Sequence, residues 1–195
     1  VVPHADFNFV NNLTNLLECN CNEFNMNMTE DPLRLEQCFL FTIIWAFGSM
    51  YGEKDGVDYK KMYSEYWRNK MGDSNIAKMP AKGTVFDYLP DEREERTEKE
   101  CWKEWKQLTQ KIAYNSLSQN MTDVTVPTSE TTAVTYIMDA MVDKRRPIMM
   151  VGSAGCGKTA LVNGLLKNLP EEKMSTRLSF NYYTTSAQLQ VMLEA

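Results

Sequence analysis

Between Arg145 and Leu166 the chain reads "RRPIMMVGSAGCGKTALVNGLL". Its centre, Gly152-Ser153-Ala154-Gly155-Cys156-Gly157-Lys158-Thr159, has the form G-x-x-x-x-G-K-[ST]. No other stretch limits the possible folds as strongly. Glycines let backbone N–H groups curl around an anion without Cβ clashes. The helix that follows aims its positive end at the same point. Lys158 supplies a compact cation, and the Thr159 hydroxyl is a hard-oxygen ligand for Mg²⁺. The fixed positions should coincide by chance in about one chain in a hundred of this length. The motif also needs an apolar strand before it and a helix after it. Both are present in the composition, so these eight residues are expected to cradle the phosphates of ATP or ADP with Mg²⁺.

The surroundings read as α/β. Pro147 to Val151 is a short apolar strand, and Lys158 to Leu169 a helix with Leu161, Leu165 and Leu166 facing inward. Leu178 to Tyr183 alternates apolar and polar like a second strand. Thr185-Ser186-Ala187-Gln188 has capping-box spacing for a helix that runs to the end. Before the loop, Pro127 and Glu130 mark the start of a helix from Thr128 to Val142, lined by Val134, Ile137, Met138 and Met141. This order predicts a parallel sheet with crossover helices in a three-layer αβα arrangement.

The first 72 residues read as helical and show no chemistry. Phe7, Val10, Leu13 and Leu17 recur at helical spacing. Asp31-Pro32 is an N-cap and first helical residue for a second helix to Gly48, and Gly52 to Gly56 is a turn. Tyr59, Met62, Tyr63, Tyr66 and Trp67 form the packing stripe of a third helix. A loop is expected from Asn69 to Lys82, then a strand from Gly83 to Leu89. Asp91 to Glu100 is a dense charge run, a solvated face or exposed loop. Trp102, Trp105 and Ile112 follow on helix or strand; periodicity does not decide between them.

Composition excludes several classes. A net charge of −5 argues against broad binding to nucleic acid or anionic membrane. The most apolar run, Cys38 to Gly48, is shorter than the roughly 20 residues that span a bilayer. The 13 Met fill irregular core gaps. The 5 Cys (19, 21, 38, 101, 156) are scattered and the single His is His4, which suits neither a metal site nor a disulfide framework and points to a reducing compartment. There the sequons at Asn12, Asn27 and Asn120 carry no meaning. Cys156, beside a Lys and a helix start, is read as a small side chain tolerated in the loop rather than a redox centre. The chain starts Val-Val-Pro and stops inside an apparent helix, so it reads as a piece of something longer.

"VPTSETTAVTYIMDAMVDKRRPIMMVGSAGCGKTALVNGLL", followed by "FNYYTTSAQLQVMLE", resembles the dynein heavy chains, and within them the third AAA+ module of the axonemal type. Upstream, "FTIIWAFGSMYGEKDGVDYKKMYSEYW" is similar to the helical lid of the second module, and "GTVFDYLPD" to the segment leading into the third. Cys156 stands where Thr is usual, and Glu92 to Asp123 is hard to match. The resemblance implies three parts: residues 1–78 as the lid of a preceding module, 79–126 as a linking segment with a charged insertion, and 127–195 as the start of a P-loop AAA+ domain. It implies that Val126, Pro127 and Thr128 lie on the adenine side. It also implies a microtubule motor of cilium and flagellum, in the cytoskeleton, partnered by neighbouring AAA+ modules, microtubules and other dynein subunits.

Hydrolysis needs a catalytic acid on a later strand, a sensor and an arginine from a neighbour. No apolar run ending in Asp-Asp or Asp-Glu follows Thr159, so these residues alone are expected to be inactive as an ATPase, with no catalytic residue among them. Three other readings stay open: a module that holds ATP or ADP as a structural ligand, a small P-loop phosphotransferase, and an interaction module worked by the helical region.

Overall fold

The computed structural model describes residues 6–20, 31–71, 76–93, 97, 100–109 and 126–194. Ile112 and half of the charge run lie outside them. Among the described residues, the chain runs through α1 (Asp6–Asn20), α2 (Pro32–Gly48), β1 (Glu53–Lys54), β2 (Val57–Asp58), α3 (Tyr59–Met71), a 3-10 turn (Val85–Asp87), β3 (Tyr88–Pro90), β4 (Trp102–Glu104), α4 (Trp105–Leu108), α5 (Ser129–Asp143), α6 (Lys158–Lys167) and α7 (Ser186–Glu194).

Local signals set many of the boundaries. Asp31 caps α2 by accepting the Arg34 N–H at 3.0 Å, with Pro32 in the first turn. Thr128 caps α5: its Oγ1 accepts the Thr131 N–H at 3.2 Å, while Thr131 Oγ1 accepts the Thr128 N–H at 2.7 Å. The expected Gly52–Gly56 turn holds a two-residue hairpin. Asp55 and Gly56 both take positive φ, 54° and 75°, and join β1 to β2. The box at the start of α7 also forms, since Thr185 N–H donates to Gln188 Oε1 at 2.9 Å and Gln188 N–H to Thr185 Oγ1 at 3.3 Å.

The core is built from α1, α2, α3, the 3-10 turn, the paired strands β3 and β4, α4 and α5. Ile44, Val85, Trp105 and Ala133 are each 1% exposed. Trp105 is central: its ring meets Phe41, Trp45 and Tyr136, and its Nε1–H donates to the Phe86 carbonyl at 3.0 Å. The helix before the glycine loop therefore shares one core with the helical region upstream.

Four expectations need correction. The strand predicted from Gly83 to Leu89 is half 3-10 turn. Thr84 N–H donates to Asp87 Oδ2 at 2.6 Å and Asp87 N–H to the Thr84 carbonyl at 3.2 Å, and these local bonds outcompete extension until Tyr88. On α1 the packed stripe is Phe9, Leu13 and Leu16; Phe7 and Val10 are 72% and 57% exposed. Phe9 stacks on Phe47, which selects that face. On α3, Tyr63 and Trp67 pack while Met62 and Tyr66 face outward. Lastly, 147–151 and 178–183 enter no ladder among the described residues; the sheets present are the antiparallel pairs β1–β2 and β3–β4. Parallel strands are stable when both faces are covered. Here Met149, Phe180 and Tyr182 are 86%, 64% and 94% exposed.

Candidate nucleotide-binding site

The loop 152–157 turns into α6 through glycine geometry. Gly155 and Gly157 have φ of 81° and 86°, a region that costs an L side chain roughly 1–2 kcal/mol. Gly157 is the N-cap residue of α6, and its carbonyl accepts the Leu161 N–H at 3.0 Å. Gly152 is constrained by space: a Cβ there would lie 2.9 Å from Cys156 Sγ. The N–H groups of the first turn of α6 have no partner within the helix, so they are available to an anion.

Lys158 folds back over the loop. Its Nζ donates to the carbonyls of Gly152 at 2.9 Å and Ser153 at 2.6 Å, and lies 3.4 Å from Cys156 Sγ. The ammonium is thereby held at the mouth of the loop, and no carboxylate among the described residues pairs with it. Ser153, Ala154 and Thr159 are exposed beside it. Among the described residues no His, Cys, Asp or Glu cluster could hold a metal by itself. A divalent cation at Thr159 would have to come with phosphate oxygens.

Beside the loop, α5 and α6 leave an open groove of about 420 Å³. Pro127, Thr131 and Thr135 line it from one side, Ala160, Leu161 and Gly164 from the other. Pro127 thus faces the same groove as the first turn of α6. Val126 and Thr128 do not line this groove: Val126 is 69% exposed, and Thr128 is occupied as a helix cap. Tyr136, Asp139 and Asn168 extend the groove away from the loop. Burial pushes the Asp139 carboxyl up from its ordinary value, and the nearby Asp143 charge adds to this. Sequence reasoning overlooked these groove residues. The available signal was the polar spacing of Thr131, Thr135 and Asp139 at i, i+4, i+8 on one helix face.

A glycine loop of this form at the start of a helix, preceded by a capped helix, is the arrangement of a P-loop protein. The comparisons narrow the class. Residues 1–107 match the family described as dynein heavy chain AAA lid domain, and residues 114–195 the P-loop containing dynein motor region. The chain belongs to the dynein heavy chain family. It is 37% identical over 195 residues to the dynein alpha chain, flagellar outer arm, of Chlamydomonas reinhardtii. It is 36% identical over 196 residues to the dynein beta chain, ciliary, of Tripneustes gratilla, and 34% over 201 to dynein axonemal heavy chain 9 of Homo sapiens. Each match covers 100% of this chain and 4% of the relative. No helix among the described residues is long and apolar enough to cross a membrane.

Proposed function

We propose that Gly152 to Thr159 hold the phosphates of ATP or ADP in a regulatory AAA+ module, the third of a dynein motor ring. In this reading residues 1–78 are the lid of the preceding module, 79–126 the link, and 127–195 the start of the nucleotide-binding domain. The observation that supports it most directly is Lys158 Nζ resting on the Gly152 and Ser153 carbonyls inside a loop whose Gly155 and Gly157 take positive φ. Incoming β- and γ-phosphate oxygens would replace those carbonyls as partners of the ammonium, gaining charge-assisted hydrogen bonds. Thr159 would give one hydroxyl to Mg²⁺, which completes its shell with phosphate oxygens and water. Pro127 would pack on the adenine from the groove side, with Val126 and Thr128 beside it.

In this reading these residues position a nucleotide, and no apolar run ending in Asp-Asp or Asp-Glu follows Thr159. For the whole polypeptide we propose an ATPase motor acting on microtubules in the axoneme of cilia and flagella, with neighbouring AAA+ modules and other dynein subunits as partners. Lys158→Ala in the full-length polypeptide is expected to weaken ATP binding at this site at least about tenfold, or 1.4 kcal/mol. Titration with a fluorescent ATP analogue measures it, and unchanged affinity would sink the phosphate assignment.

A further inference from the structure

One face of α3 is polar where it meets the chain that follows. Lys60, Ser64 and Arg68 are spaced i, i+4, i+8 and share that face. Each grips a different part of residues 80–87. The Arg68 guanidinium donates to four consecutive carbonyls: Pro80 at 2.8 Å, Ala81 at 3.1 Å, Lys82 at 3.1 Å and Gly83 at 2.6 Å. Ser64 Oγ, on a residue 2% exposed, accepts the Val85 N–H at 3.0 Å. Lys60 Nζ lies 4.7 Å from the centre of the Phe86 ring. On the α2 side, Glu36 accepts the Ala77 N–H at 2.6 Å. Arg68 has no carboxylate partner among the described residues. Its two terminal nitrogens are directed at backbone carbonyls, while its buried Nε has no partner among the described residues, so it fixes the path of a segment instead of neutralising a charge.

Together with Lys60 of α3, the strap also borders the start of α5. Thr84, Phe86 and Asp87 line a cavity of about 330 Å³ together with Ser129, Glu130 and Ala133. The Phe86 carbonyl holds the Trp105 indole, and Trp105 packs on Tyr136, a groove residue. Ser129 is the first residue of α5 and follows Val126–Thr128 directly.

We propose that residues 80–87 form a conformational relay: the grip of α3 on this strap sets the position of the α5 N-terminus, and through Pro127 the width of the groove beside the P-loop helix. The inference rests on the nucleotide reading above. By linkage, a strap that tunes nucleotide affinity must itself be tightened by nucleotide to the same degree.

The test is hydrogen exchange in the full-length polypeptide, read on peptides covering 80–90, 126–140 and 152–160, with ATP titrated. In the native protein ATP should slow exchange at 84–90 by at least about threefold, and Lys158→Ala should abolish that effect. Without ATP, Arg68→Ala should speed exchange at 84–88 about tenfold, and it should raise by several-fold the ATP concentration needed to protect 152–160. Arg68→Lys keeps the charge but not the fork and should not restore either. Ser64→Ala removes one acceptor and should give the same pattern more weakly, which serves if Arg68→Ala fails to fold. Faster exchange at 84–88 in the Arg68 and Ser64 variants with unchanged ATP dependence at 152–160 would make the strap merely structural and overturn the relay. ATP protection at 152–160 with none at 84–90 would also overturn it and leave the nucleotide reading intact. No Lys158-dependent protection at 152–160 would overturn both.

Discussion

Replacing Trp105 by Phe tests whether the helix leading to the glycine loop belongs to the upstream core. Trp105 is 1% exposed and its indole N–H is bonded to the Phe86 carbonyl. Phe removes the donor and leaves a buried carbonyl without its partner, at a cost of about 1–3 kcal/mol. The smaller ring leaves a void of a few tens of Å³, which adds about 1 kcal/mol at roughly 24 cal/mol per Å³. The total, about 2–4 kcal/mol, is a large part of an ordinary domain's 5–15 kcal/mol. Trp102 is the internal control. It is 8% exposed, but its Nε1 is buried with no partner among the described residues. Trp102→Phe should therefore cost only the void, about 1 kcal/mol, because it deletes an unsatisfied donor. Opening free energies from hydrogen exchange of α2 and α5 peptides give both numbers in place. Equal losses in the two variants would refute the hydrogen-bond argument. A Trp105→Phe effect confined to α2 and absent from α5 would refute the shared core.

Two further outcomes follow from local geometry. Gly152→Ala should weaken ATP binding, because its Cβ would sit 2.9 Å from Cys156 Sγ, and adding Cys156→Ala should restore much of the loss; titration of the single and double variants decides it. Burial, reinforced by Tyr51, pushes the Tyr63 phenol up to about 12 from its ordinary value near 10, so the folded state keeps a proton that the unfolded chain releases. Its contribution to stability is full below about pH 10 and is lost between about pH 10 and 12, a dependence that Tyr63→Phe should remove from a pH series of unfolding curves.

What was legible in the sequence was local. The glycines at 155 and 157, the caps at Asp31 and Thr185, and the helix after Lys158 each depend on a few neighbouring residues, and each forms as read; the helix expected from Thr128 starts at Ser129, with Thr128 as its cap. The strands at 147–151 and 178–183 depend on partners far along the chain, and composition alone cannot supply a ladder. On α1, two helical stripes overlap in an Asn-rich segment, and only the position of Phe47 decides that Phe9 is the inner one. The Thr84–Asp87 box was hidden by the β-branched and aromatic composition around it. Arg68 left no trace, since its partners are backbone carbonyls that any sequence provides. The groove was half visible: polar spacing on α5 can be read, but the facing Gly164 and Ala160 belong to a helix whose placement is tertiary.

Photolabelling with 8-azido-ATP in the full-length polypeptide, followed by peptide mapping, tests the nucleotide site most directly. A base seated between Pro127 and the first turn of α6 should place label on peptides from 126–139 or 160–168, in competition with unlabelled ATP, and Lys158→Ala should remove that label while leaving label at other sites. Absence of label from both peptides, or label there that persists in Lys158→Ala, would contradict the account.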